Sequence, residues 1–166
     1  MSMDFVINWD DEIKFERALS RVAKVPQKVA TRSAGKGATV VRKAVRNAAP
    51  VGDTGQLKRG IVRVGERSSV RGKKVYDFMF DPKKNDIFQK PIKNPGEAGG
   101  KSDHAYYPAS MEYGFLTRSK GKGKDKGYSY VPGYHFMRNA TDEASPAARQ
   151  AVIRTATQEL NKEWVK

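Results

Sequence analysis

Few residue groups in this chain have the types and spacing that chemistry needs. Asp53-Thr54-Gly55 is the tripeptide that surrounds the carboxylates of aspartic proteases. That reaction requires two carboxylates sharing one proton, so a single copy would serve only in a symmetric dimer. The tripeptide also follows Pro50-Val51-Gly52 instead of closing an apolar strand. A turn in which Asp53 or Thr54 caps a short helix at Gln56 is the simpler reading. Residues Pro95 to Ser102, Pro-Gly-Glu-Ala-Gly-Gly-Lys-Ser, come close to a phosphate-binding loop. Pro95 stands where that motif needs glycine, and neither the preceding strand nor the following helix is present in the sequence pattern. A flexible loop is expected there. His104 and His135 are the only histidines, and there is no cysteine. Without a neighbouring carboxylate cluster they make no metal site. Ser102-Asp103-His104 is contiguous, whereas triads are assembled from distant segments. These residues point to no enzyme, no cofactor and no metal.

The positive charge is the strongest physical signal. The chain carries a net +14, which favours an anionic partner. From Arg21 to Ala49 there are eight Lys or Arg residues and no Asp or Glu, with Arg32, Lys36, Arg42, Lys43 and Arg46 among them. A second concentration, Arg118, Lys120, Lys122, Lys124 and Lys126 against Asp125 alone, lies in a Gly-Lys-rich stretch. Both are candidate contacts for DNA phosphates or an acidic protein surface. A merely solvated face is the alternative, weighed evenly for the first stretch. The second serves no core, so an interaction role is favoured there. Only Tyr128 and Tyr130 are available for stacking on a single strand, so that signal is weak.

The elements that must position these residues follow from periodicity. Asp10, Asp11 and Glu12 suit the positive end of a helix, and Ile13, Phe15, Ala18, Leu19 and Val22 follow at helical spacing, predicting a helix over 11–24. Pro26 interrupts the pattern and suits the first position of a second helix running to Ala49, where Pro50 stops it. Gln56 to Gly60 reads as one helical turn, and Ile61–Val64 and Val75–Phe80 as strands joined by a basic hairpin loop over 67–74. Tyr76, Phe78 and Phe80 share one strand face. The Pro- and Gly-rich stretch 81–103 predicts a long irregular arm, and the low-complexity stretch 117–130 a second one. His104 to Phe115 suggests a short helix or irregular strand. Ser145 and Pro146 look like the cap and first residue of a last helix, with Ala148, Val152, Thr155, Ala156, Leu160 and Trp164 as its buried stripe.

The length of 166 residues bounds the chain to a single domain over 1–166. The resulting layout is α+β, with N-terminal helices and a C-terminal helix packed on a small antiparallel sheet and long basic or Gly-Pro loops. No stretch reaches the ~18 apolar residues of a membrane span, and the N-terminus lacks the pattern of a signal peptide. No membrane partner is expected.

Three segments in order resemble the tail-completion or head-tail joining proteins of long-tailed double-stranded DNA bacteriophages. The first is a helix ending in Ala48-Ala49-Pro50 and followed by Thr54-Gly55-Gln56-Leu57. The second is Ala105 to Gly114, with Glu112-Tyr113-Gly114 at its end. The third is Val131 to Ala140, with Phe136-Met137-Arg138 leading into the final helix. Pro50, Thr54, Gly55 and Leu57 would turn the chain from helix into sheet, Leu57 plugging the core. Glu112, Tyr113 and Gly114 would end a segment where glycine is favoured, and Phe136 and Met137 would anchor the last helix. These are read as fold-specifying residues. The resemblance implies a non-enzymatic ring protein, a hexamer, at the neck. Its neighbours would be copies of itself, head-completion or connector proteins, and tail terminator or tail tube proteins. Genomic DNA would run in the channel, and assembly would take place in the host cytoplasm. The rival reading is a basic nucleic-acid-binding protein unrelated to virions.

Overall fold

The computed structural model describes residues 9–52, 54–92, 104–118 and 127–164. Trp9–Ala48 forms one 40-residue helix, α1. The two helices predicted on either side of Pro26 are therefore one. Pro26 is exposed, and a proline within a helix removes one hydrogen bond and crowds the preceding turn at a cost of about 3 kcal/mol. On a solvent-facing side, water can satisfy the carbonyl it frees, and the packing of the rest of α1 outweighs the cost. The same holds for Pro146, exposed inside the 29-residue helix α5 (Phe136–Trp164). The start predicted at Ser145 is thus too late; the helix already begins at Phe136, inside the segment that the resemblance sets before it.

This earlier start also shifts the buried stripe. Phe136, Ala140, Ala144, Ala148, Ala151 and Glu159 are the buried positions of α5, while Leu160 is exposed. The four-residue steps from Phe136 to Ala148 put one face against α1, where Ser33, Gly37, Ala38 and Val45 are buried in turn. The two helices make the largest interface of the fold. Small residues let them approach closely. A Cβ on Gly37 would lie 2.5 Å from Val152 Cγ2 and 3.2 Å from the Ala148 carbonyl oxygen. The buried Ser33 hydroxyl donates to the Val29 carbonyl at 2.7 Å, so it needs no partner across the interface.

Among the described residues the strands form three two-stranded antiparallel ribbons where one small sheet was expected. β1 (Ile61–Gly65) pairs with β2 (Tyr76–Phe80), Ile61 opposite Phe80. β3 (Gln89–Pro91) pairs with β4 (His104–Tyr106), and β5 (Gly114–Arg118) with β6 (Tyr128–Pro132). The short helix α2 (Gln56–Gly60) leads into the first ribbon, and α3 (Asn85–Phe88) and α4 (Tyr107–Tyr113) separate the three. The β1–β2 ribbon is tied to α1 at its tip, where the Gly72 backbone N–H donates to Gln27 Oε1 at 3.0 Å. Near its middle, Arg63 Nη1 donates to the Gly35 carbonyl at 2.8 Å and its guanidinium sits 4.7 Å from the Tyr76 ring centroid.

The arm expected over 81–103 is ordered in its first half. Asp81 accepts from the Lys83 backbone N–H and caps a 3-10 turn over Pro82–Lys84. α3 then places Phe88 in the interior, 1% exposed. The main core joins Val45 and Ala49 of α1, Leu57 and Ile61 at the corner, and Phe136 and Ala140 of α5. Residues 93–103, with the loop resembling a phosphate-binding motif, lie outside the described residues.

Candidate assembly surfaces

Three places gather the residues singled out in the sequence. The first is the corner between α1 and β1. Pro50 is half-buried and Thr54 exposed. Gly55 has a φ of 59° and stands at the N-cap of α2, a left-handed position that favours glycine. Its N–H donates to the Gly52 carbonyl at 3.0 Å. The turn delivers Leu57, 3% exposed, into the core beside Val45 and Ile61. Asp53 lies outside the described residues.

The second place is the junction of α4, β5 and α5. Glu112 is buried at 5% exposure. Its carboxylate accepts the backbone N–H groups of Met137 at 2.9 Å and Arg138 at 3.2 Å, donors that the first turn of a helix leaves without partners. Negative charge also suits that helix end. The same short segment is held by backbone bonds from Tyr134 N–H to the Met111 carbonyl and from His135 N–H to the Glu112 carbonyl. His135 takes a φ of 49°, which lets the chain turn directly into α5. Gly114 has a φ of 88°, and a Cβ there would meet the Val131 carbonyl oxygen at 2.3 Å. Phe136 is buried and Met137 packs on the core. Tyr113 is exposed, its carbonyl accepting the Tyr130 hydroxyl.

The third place is the basic side of α1, which the structure divides. Arg32 is ion-paired with the buried Glu159 of α5, as Lys28 is with Glu163. These cations hold the fold. Lys36 is exposed, and further along the helix Arg42, Lys43 and Arg46 converge with Thr39, Asn47 and Lys58 of α2 on a cleft of about 270 Å³. Arg46 Nε donates to the Lys58 carbonyl at 3.1 Å, fixing α2 against α1. Arg42 Nε is shielded from solvent and has no acceptor among the described residues. Arg118 ends β5, its side chain outside the description, and Lys120, Lys122, Lys124 and Lys126 lie outside the described residues. Among the described residues no three His, Asp or Glu side chains converge as metal ligands, and no helix is long and apolar enough to cross a membrane.

Hydrogen bonding from Arg32, then from Lys162 at 3.0 Å, holds the Glu159 carboxyl below its ordinary range. A carboxyl depressed by folding contributes stability that is complete above its unfolded pKa, near 4.3, and lost as pH falls through the lower folded value. Thermal melts should show Glu159→Gln less stable than the parent chain at pH 7, with the difference shrinking below about pH 4. A difference unchanged at pH 3 would contradict this role. Burial raises the hydroxyl pKa of Tyr106, whose ring stands edge-on to Phe80 and Phe88.

Sequence reasoning did not find Glu159, Lys58 or Phe88. The three- and four-residue steps from Phe136 to Ala151, carried on by eight residues, reach Glu159 and were the available signal for the first. Lys58 has none, because only the corner brings α2 against the end of α1.

The model of the family described as "Bacteriophage HK97-gp10, putative tail-component" matches residues 13–107, more than half of the 166. The chain belongs to this family of phage tail components. The matched span runs from the early turns of α1 into the first residue of α4 and includes the Leu57 corner and the basic cleft. The Glu112–Gly114 and Phe136–Arg138 segments lie beyond it. No curated protein and no solved structure matches the chain.

Proposed function

We propose that this tail component completes the tail and joins it to the head connector, working as a ring of copies at the neck whose mechanism is docking. The observation that carries the reading is the β5–β6 ribbon. Tyr113, Phe115, Leu116, Tyr128, Tyr130 and Tyr134 are all exposed on and beside it, and among the described residues the sheet has only these two strands. A two-stranded ribbon is marginal in water by itself. Aromatic side chains exposed together are the side chains that anchor protein interfaces. A ring neighbour or an adjoining tail protein would cover them. The basic cleft would meet either a neighbour or the DNA in the channel. Fold-specifying roles for Pro50, Thr54, Gly55, Leu57, Glu112, Tyr113, Gly114, Phe136 and Met137 belong to the same proposal, as does the single-domain organisation.

The test is a phage in which this gene is interrupted. The expected result is DNA-filled heads and separate tails, rejoined when the chain is supplied in trans. Complete infectious particles formed without the chain would end the proposal. A nucleic-acid-binding role outside virions would instead leave particle morphology normal.

A further inference from the structure

Three clefts adjoin along one side of α1. The first, about 790 Å³, lies between residues 20–32 of the helix and residues 68–71 at the tip of the β1–β2 ribbon. The second, about 420 Å³, continues between residues 31–39, Arg63 of β1, and Thr155 and Glu159 of α5. The third is the cleft of about 270 Å³ against α2. Thr31 and Arg32 line both the first and the second, and Thr39 both the second and the third. The three therefore make one groove. From Ser20 to Asn47 the helix beside it runs about 40 Å, a little more than one turn of duplex DNA at ~34 Å.

The groove has one sign of charge. Apart from Glu159, every charged side chain lining it is Lys or Arg, and Glu159 is neutralised by Arg32 and Lys162. Lys24 and Arg71 stand at one end, Lys36 and Arg63 in the middle, Lys43 and Lys58 at the other. Cations lined up in this way focus a positive potential along the groove. Arg42 also lines it, with its Nε withdrawn from water and lacking an acceptor among the described residues. An anion on that guanidinium offsets the cost of burying it. Ser20, Ser69 and Asn47 add neutral donors of the kind that contact phosphate oxygens.

We infer that this groove receives the sugar–phosphate backbone of double-stranded DNA. The inference rests on the neck reading for the DNA, and it chooses between the two partners open to the basic cleft. The lining decides the choice. Its only apolar side chains are Ala23 and Val70, whereas a protein interface has an apolar, aromatic centre depleted of charge. No aromatic ring lines it, so it offers no platform for stacking the bases of a single strand.

The test is binding of the purified full-length chain to a duplex of about twenty base pairs. Affinity should fall with salt at a logarithmic slope near −5, as for roughly six neutralised phosphates. Lys36→Glu with Lys43→Glu, both exposed, should weaken binding tenfold or more and lower the slope by about two. Lys24→Glu with Arg71→Glu should do the same from the other end. Lys83→Glu with Lys90→Glu, exposed and off the groove, makes the same change in net charge and should cost less than threefold. Equal losses in all three pairs, loss at one end only, or tighter binding of the single strand would each overturn the inference. If the groove variants lose a multimer seen by native mass spectrometry and keep their duplex affinity, the groove is a contact between copies and the inference is overturned. A ring present in particles, built from a chain indifferent to duplex, would sink the groove and leave the neck reading standing. Groove variants that lose duplex affinity, with infectious particles formed without the chain, would sink the neck reading and leave the groove standing.

Discussion

Replacing Phe88 with alanine should destabilise the protein by about 3–5 kcal/mol, the usual cost of removing a buried aromatic ring. Among the described residues Phe88 is the largest fully buried side chain. Its ring lies edge-on to Phe80 and Tyr106, with centroids 5.7 and 6.2 Å away, an arrangement that adds to burial itself. It also rests on Gly60, where a Cβ would come within 2.3 Å of the ring. The pocket is thus closed by backbone on one side and rings on the other, and it has little freedom to collapse around the space left by alanine. Equilibrium denaturation should show the midpoint fall with the slope unchanged. Phe88→Leu should lose less, because it refills much of the volume. A loss under about 1 kcal/mol for Phe88→Ala would mean that the 82–91 segment is not fastened to the core.

Glu112→Ala should cost roughly 3 kcal/mol. Hydrogen bonds to a charged group contribute about 1.5–3 kcal/mol each, and this carboxylate makes two of them to the first turn of α5. Alanine leaves the Met137 and Arg138 N–H groups without their acceptor. Glu112→Gln keeps one carbonyl oxygen and should lose about half as much. The two variants should also differ in place as well as size, with hydrogen exchange rising at the first turn of α5 before it rises near Ala148. Uniform exchange along α5 in Glu112→Ala would show that the carboxylate does not fasten that end.

Much of this arrangement is legible in the residue order, for identifiable reasons. The corner at Gly55 and Leu57 is short and local, so its turn chemistry and the buried leucine can be read directly. The Tyr76–Phe80 strand has a clean alternation of faces. Reading fails where tertiary packing outweighs a local rule. Pro26 and Pro146 are read as boundaries because each removes a backbone donor, yet both lie on solvent-facing sides of helices held by partners distant in sequence. The Pro-rich stretch after Asp81 looks irregular, and a single phenylalanine inside it supplies a large part of the interior. Arg32 and Arg42 are alike in sequence, both cations on one basic helix. Glu159, over a hundred residues away, pairs with the first, whereas the Nε of the second has no acceptor among the described residues. Glu112 reads only as part of a turn ending in glycine; its capping of α5 depends on the β5–β6 ribbon folding back to bring Phe136 beside it.

On the proposed function, neighbours in the assembled tail cover this chain's exposed aromatic ribbon, and a neighbour or the DNA covers its basic cleft. An image reconstruction of the particle that carries it tests this most directly. The expected result is a closed ring of copies at the head-proximal end of the tail, with Tyr130 of every copy buried against another chain and Lys43 against another chain or the DNA. Particles in which the chain is absent, or in which both residues face solvent in every copy, would contradict it.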